Sequence, residues 1–89
     1  MKIIKRIHPI YEEYEKAKKQ GMKIPILTGK YQYIYKTEKG EISLVLFKNY
    51  FNDGKDFWEI YCLNGKLFED VERFATKIEA EKQIKKYLT

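Results

Sequence analysis

The sequence is poor in the side chains on which catalysis and metal binding most often depend. It contains one cysteine, Cys62, and one histidine, His8. A single thiol can neither close an intramolecular disulfide nor build a thiol-rich metal site. A single imidazole cannot form a His-based metal site, or a catalytic dyad with a second histidine, within one chain. His8 precedes Pro9 at the start of a helical pattern, where capping or plain exposure is the simpler account, and Cys62 alternates with Trp58 and Ile60 as a buried structural thiol would. There is no Gly-rich phosphate loop and no Gly-x-Ser-x-Gly elbow. The acids Asp53, Asp56, Glu69, Asp70 and Glu72 lack calcium-loop spacing, and the first two fall in a turn, where Asp is expected for local hydrogen bonding. These absences predict a protein that is not an enzyme and takes no cofactor or metal.

Long apolar runs are missing as well. Nothing approaches the roughly 18 apolar residues of a membrane span, and "MKIIKRIHPI" lacks the continuous run of about seven that a signal peptide needs. A reducing cytoplasm is the expected location. Arginine is limited to Arg6 and Arg73, so the net charge of +5 is carried almost wholly by lysine.

What the chain does have is 44% hydrophobic and 16% aromatic residues beside 35% charged ones, more apolar material than a disordered chain carries. Eighty-nine residues suffice for one domain with a single sheet and one or two helices. The charge is unevenly placed. Residues 1–30 hold eight basic groups (Lys2, Lys5, Arg6, Lys16, Lys18, Lys19, Lys23, Lys30) against three acids, while residues 31–89 hold ten of each.

"PIYEEYEKAKKQ" (9–20) reads as a helix with Pro9 at its first position, acids early, lysines late and Gly21 as the stop. Glu12 with Lys16 and Glu15 with Lys19 have ion-pair spacing, and Ile10, Tyr14 and Ala17 line one side. "MKIPILTGK" (22–30) is an extended connection, because Pro25 lacks a donor and biases Ile24 away from helix. From Tyr31 the pattern turns to strands: "YQYIYKT", "ISLVLFKNY" (42–50), "FWEIYCL" (57–63) and, as a fourth candidate, "KLFEDV" (66–71). Asn64-Gly65 is the strongest hairpin signal. "TKIEAEKQIKKYL" (76–88) is a helix with Thr76 and Glu79 as capping box and Ala80, Ile84, Tyr87 and Leu88 as its stripe. The expected fold is α+β: an N-terminal helix, a three- to four-stranded antiparallel meander over 31–75, and a C-terminal helix packed on the sheet.

Hairpin turns at Lys39-Gly40 and Asp53-Gly54 would set Tyr33 opposite Leu46, Tyr35 opposite Leu44, and Lys48 opposite both Tyr31 and Glu59. One face would then carry Ile34, Val45, Phe47, Trp58, Ile60 and Cys62 under the C-terminal helix, joined by Phe74. The other would carry Tyr31, Tyr33, Tyr35, Leu44, Leu46, Tyr61, Leu63 and Phe68 around a Lys48–Glu59 pair. Tyrosine combines an apolar body with a polar tip, so this face suits either cover by the N-terminal helix and "IPIL" or a docking surface. The candidate partner-binding set is Tyr31, Tyr33, Tyr35, Lys48, Glu59 and Tyr61. The alternative is nucleic-acid contact by Lys2, Lys5, Arg6, Lys16, Lys18, Lys19 and Lys23 on phosphates. An open edge at "YQYIYKT" would also allow a homodimer by strand pairing.

"RFATKIEAEKQI" (73–84), following a three-stranded meander, resembles the end of the AP2-like arm-binding domains of phage and transposon integrases. Phe74, Thr76, Lys77, Glu79 and Ala80 carry the likeness, which covers residues 31–88. It implies the sheet-plus-helix architecture, and in that family the exposed sheet face reads DNA. Here the three strands carry no arginine to read guanine. Size and composition also resemble those of small anti-CRISPR and other anti-defence proteins of phages and mobile elements. The expected function is a small binding protein that occludes a protein partner, a nucleic-acid-binding host factor being one candidate, with DNA binding through the basic N-terminal segment as the alternative.

Overall fold

A computed structural model describes residues 1–62 and 72–88 of the chain. The order of elements is β1 (Lys2–Ile7), α1 (Pro9–Lys19), β2 (Thr28–Thr37), β3 (Gly40–Phe47), β4 (Phe57–Cys62), β5 (Glu72–Phe74) and α2 (Lys77–Leu88). The strands form one antiparallel sheet in sequence order, β1-β2-β3-β4-β5. The α+β class with an antiparallel meander and a C-terminal helix matches the sequence reading, but among the described residues the sheet has five strands and α1 follows a strand. The "KLFEDV" strand and the Asn64-Gly65 turn lie outside the described residues.

The additional first strand is "KIIKRI". Its isoleucines favour extended backbone, and its full length pairs with β2, from Lys2 opposite Lys36 to Ile7 opposite Tyr31. The edge expected at residues 31–37 is therefore already paired. The sheet's own first edge is β1, where Lys2, Lys5 and Arg6 supply the charges that discourage pairing with another chain.

Both hairpins depart from the expected register, with unequal consequences. The first turns at Glu38-Lys39, so Tyr33 lies opposite Leu44 and Tyr35 opposite Ile42. This is a shift by two residues, which leaves every side chain on its expected face. The second is a wide loop over residues 48–56, closed by side chains. Asn49 and Asn52 adopt φ 47° and 57°, and Gly54 φ 75°. The Asn49 Oδ1 accepts from Gly54 N–H at 2.6 Å, and the Asp56 Oδ1 accepts from Asn49 N–H at 3.1 Å. Phe47 consequently faces Phe57 and Leu44 faces Ile60. The shift is odd-numbered, so β4 is inverted relative to expectation: Trp58 and Ile60 join the tyrosine face, and Glu59 leaves it.

The tyrosine face is thus the one that takes α2. Its core comprises Tyr35, Ile42, Leu44, Ile60, Ala80, Ile84 and Leu88, with Tyr33, Trp58 and Phe74 packed at the margin. Ala80, Ile84 and Leu88 follow the helical stripe expected from sequence, whereas Tyr87 is 38% exposed and donates its hydroxyl to Glu72. Thr76 Oγ1 accepts the Glu79 N–H at 3.2 Å, the N-terminal half of the capping box. The opposite face has its own buried residues, Ile34, Val45, Gln32 and Ser43. Gln32 connects three strands there, accepting from Arg6 Nε at 2.9 Å and donating to Ser43 Oγ at 2.7 Å.

Helix α1 begins at His8, whose Nδ1 accepts the Ile10 N–H at 3.0 Å and whose own N–H donates to the Lys30 carbonyl at 2.9 Å. It ends in a Schellman arrangement: Met22 N–H reaches the Ala17 carbonyl, Gly21 N–H reaches that of Lys18, and Gly21 has φ 80°. No residue of α1 is buried. It packs on β2, and with it the molecule measures 45 × 25 × 22 Å with a radius of gyration of 14.1 Å. A compact chain of this length would have about 12 Å, so the molecule is elongated.

Candidate functional site

Along β2, α2 covers the three tyrosines unequally. Tyr35 is 3% exposed and lies in the core. Burial, and then the hydrogen-bonded Glu81 carboxylate beside it, hold its phenol well above the usual range. One step along the face, Tyr33 is half-buried under Lys77, the first residue of α2, whose ammonium lies 3.9 Å from the ring centroid. A further step along, Tyr31 lies outside the core cluster, half-buried. The helix starts too late to reach it.

Beyond the N-terminus of α2, a groove of about 210 Å³ opens, lined by Gly29, Lys30, Tyr31, Tyr33, Leu46, Lys48 and Trp58. A bulge produces its floor. Between Thr28 and Gln32 the β2–β3 register slips, and Gly29 crosses so close to Leu46 that a Cβ there would sit 3.3 Å from the Leu46 Cβ. Beyond the last ladder pair, Lys48 N–H donates to the Leu27 carbonyl at 2.8 Å, fixing Lys48 at the rim.

The chemistry of the groove is aromatic and cationic. Lys5, opposite Tyr33 in the β1–β2 register, holds its ammonium 4.1 Å from the Tyr31 centroid, and that of Lys30 lies 5.6 Å from the same ring. Lys77 spans Tyr33 and Trp58, whose rings are 6.3 Å apart and tilted by 53°. These are cation–π distances. Among the described residues, the lining contains no carboxylate.

Of the residues singled out in the sequence, the groove gathers Tyr31, Tyr33 and Lys48 from one set and Lys5 from the other. Tyr35 is withdrawn into the core. Glu59 lies on the opposite face, across from Val45, and binds Arg73 at 3.3 Å, so the expected Lys48–Glu59 pair does not form. Tyr61 is described by its backbone alone, opposite Ser43. Lys2 lies on the outer strand opposite Lys36, and Arg6 is engaged with Gln32. Lys16, Lys18 and Lys19 occupy the last turn of α1, and Lys23 the exposed connection after it. Lys16 pairs with Glu13 at 3.5 Å.

Sequence reasoning missed Lys30, Trp58 and Lys77 as site residues. Trp58 was placed on the wrong face by the assumed tight turn, and Lys77 enters only through the approach of α2. It also missed a second aromatic group on the opposite face. There Phe47 and Phe57 stack at 5.3 Å, Phe51 stacks on Phe57 at 5.5 Å, and Arg73 lies 5.1 Å from both Phe51 and Phe57. Tyr50 and Phe51 remain 49% and 55% exposed. The signal was the density of rings in "FKNYFNDGKDFW".

No family model, curated protein or solved structure matches this chain.

Proposed function

We propose that this is a non-enzymatic nucleic-acid-binding protein that acts through the lysine-rimmed groove beside α2. The observation that carries the reading is the co-location of Tyr31, Tyr33, Trp58, Lys30 and Lys48 in one concave surface, with Lys5 and Lys77 over its rings and no carboxylate among the described residues that line it. Rings offer stacking area to bases, and ammoniums offer counter-charge to phosphates. The AP2-like resemblance would put DNA on the sheet face away from the helix. The groove lies on the helix side, so this proposal stands on the groove itself.

Titrating the protein into fluorescently labelled single-stranded and duplex DNA at about 50 and 200 mM salt tests the reading, because several phosphate contacts make affinity fall by an order of magnitude or more over that range. Lys30→Glu/Lys48→Glu should weaken binding far more than Lys18→Glu/Lys19→Glu on α1. Equal loss from both pairs would move the site to the helix, and no binding at the lower salt would end the reading.

The exposed Tyr50–Phe51 tip favours a second reading, occlusion of a protein partner in the manner of phage or mobile-element inhibitors. Exposed aromatic rings backed by packed neighbours suit the centre of a protein interface. Tyr50→Ser/Phe51→Ser would then abolish partner capture while leaving nucleic-acid affinity unchanged.

A further inference from the structure

Resting on the nucleic-acid reading of the groove, we infer that its ligand is a single strand, bound with two successive bases splayed onto Tyr31 and Tyr33 and with little preference for sequence.

Spacing decides between single strand and duplex. Tyr31 and Tyr33 are two residues apart on one face of β2, which separates their positions by roughly 6.6 Å. Neighbouring bases in a duplex strand rise by only about 3.4 Å. Bases that land on both rings must therefore be pulled apart to about twice their stacked distance, which an unpaired strand allows and a duplex forbids. A duplex also hides its base faces, so against it these rings would have nothing to stack on.

The lysines are placed for the same ligand. The ammoniums of Lys5 and Lys77 lie 4.1 and 3.9 Å from the Tyr31 and Tyr33 centroids, about the height at which a base ring would rest. A base arriving on either ring displaces an ammonium on a flexible four-carbon stem, which stays within reach of the phosphate beside that base. The free groove thus keeps its rings covered by cations that become phosphate ligands on binding. Lys30 and Lys48 at the rim continue the cationic track.

Low sequence preference follows from where the arginines are. Guanine is most often read by a bidentate arginine, and both arginines are engaged on the opposite face, Arg6 with Gln32 at 2.9 Å and Arg73 with Glu59 at 3.3 Å. Stacking on tyrosine serves any base.

Trp58, the only tryptophan, makes the groove report on itself. The experiment titrates oligo-dT of about 12 nucleotides, a duplex of the same length, and heparin as a polyanion without bases, following Trp58 fluorescence and the anisotropy of labelled strands. The strand should quench Trp58 and bind about tenfold or more tighter than the duplex. With four phosphate contacts its affinity should fall roughly 50-fold between 50 and 200 mM salt. Tyr31→Leu, outside the core cluster, should weaken oligo-dT about tenfold while leaving heparin unaffected. Tyr33→Leu should do the same, provided its far-ultraviolet circular dichroism matches that of the parent. Duplex or heparin binding as tight as oligo-dT, or a Tyr31→Leu variant that binds oligo-dT normally, would overturn the single-strand inference and leave the broader reading in place. Binding of none of the three at 50 mM salt would overturn both.

Discussion

The two helices are nearly equal in length, eleven and twelve residues, and both are lysine-rich with acids in the first turn, yet they play opposite parts. Helix α2 buries Ala80, Ile84 and Leu88 against the sheet, whereas α1 buries nothing and leaves Ile10 52% exposed. Each has favourable capping, so local helix chemistry does not separate them. The difference lies in what stands beneath. α2 lies over Tyr35, Ile42, Leu44 and Ile60, an apolar floor drawn from three strands, while α1 meets the sheet at β2 without adding a residue to that core. A small sheet can fully cover one helix-width of its surface, and the groove occupies the stretch where that cover ends.

Substitutions that act on the two helices differently sharpen the contrast. The largest effect is expected at Ile84→Ala, which empties a fully buried site and should cost about 2–5 kcal/mol in urea unfolding. Next comes Gly29→Val, whose side chain is driven into Leu46 under the groove floor. Overpacking of this kind costs about 1–3 kcal/mol, and a shift of the Trp58 emission would show that the groove had changed shape.

His8 follows. Burial, reinforced by the Arg6 charge, lowers its pKa from the usual 6.5, so the folded state favours the neutral ring that caps α1. The stabilisation is fully present above about pH 6.5 and is lost as pH falls through the lower folded-state value. His8→Asn keeps a capping oxygen and should flatten stability over that window, whereas His8→Ala should lose about 1 kcal/mol at pH 8. A parent protein with the same pH profile as His8→Asn would contradict this assignment.

Thr28→Val removes a buried hydroxyl that has no hydrogen-bond partner among the described residues, and should raise stability by up to about 1 kcal/mol. Smallest of all is Ile10→Ala on the exposed side of α1, expected within about 0.5 kcal/mol of the parent. A loss there comparable to Ile84→Ala would erase the distinction between the helices.

Both helices, the strand segments from Tyr31 to Cys62 and the assignment of Tyr31, Tyr33 and Tyr35 to one face were legible in the sequence, because periodicity and caps are local signals. Strand β1 was not, because "KIIKRI" is too charged to stand out and becomes a strand only by pairing with a segment beyond α1. Nor was the side on which α2 packs. That hinged on the parity of one loop, and a nine-residue turn held by Asn49 and Asp56 side chains gives no two-residue signature to count from. The groove could not be seen for the same reason: Trp58 and Lys77 reach Tyr33 only once β4 and α2 are correctly placed. Tyrosine density pointed to the right strand but not to the point along it where core gives way to surface.

The order of the strands carries a kinetic consequence. Among the described strands, every hydrogen-bonded neighbour in the sheet is the next in chain order, and β2 and β3 are joined by the two-residue turn at Glu38-Lys39. Closing β1 onto β2 instead requires a loop over residues 8–27, with a larger entropy of closure. β1 should therefore dock late in folding and open first from the native state, which would make its amides the fastest of the sheet to exchange with deuterium. Lys5 rides on that strand, while Tyr31 and Tyr33 remain on the β2–β3 hairpin. A ligand gripped by Lys5 would latch the loosest strand of the sheet, and slowed exchange confined to Lys2–Ile7 would be its trace.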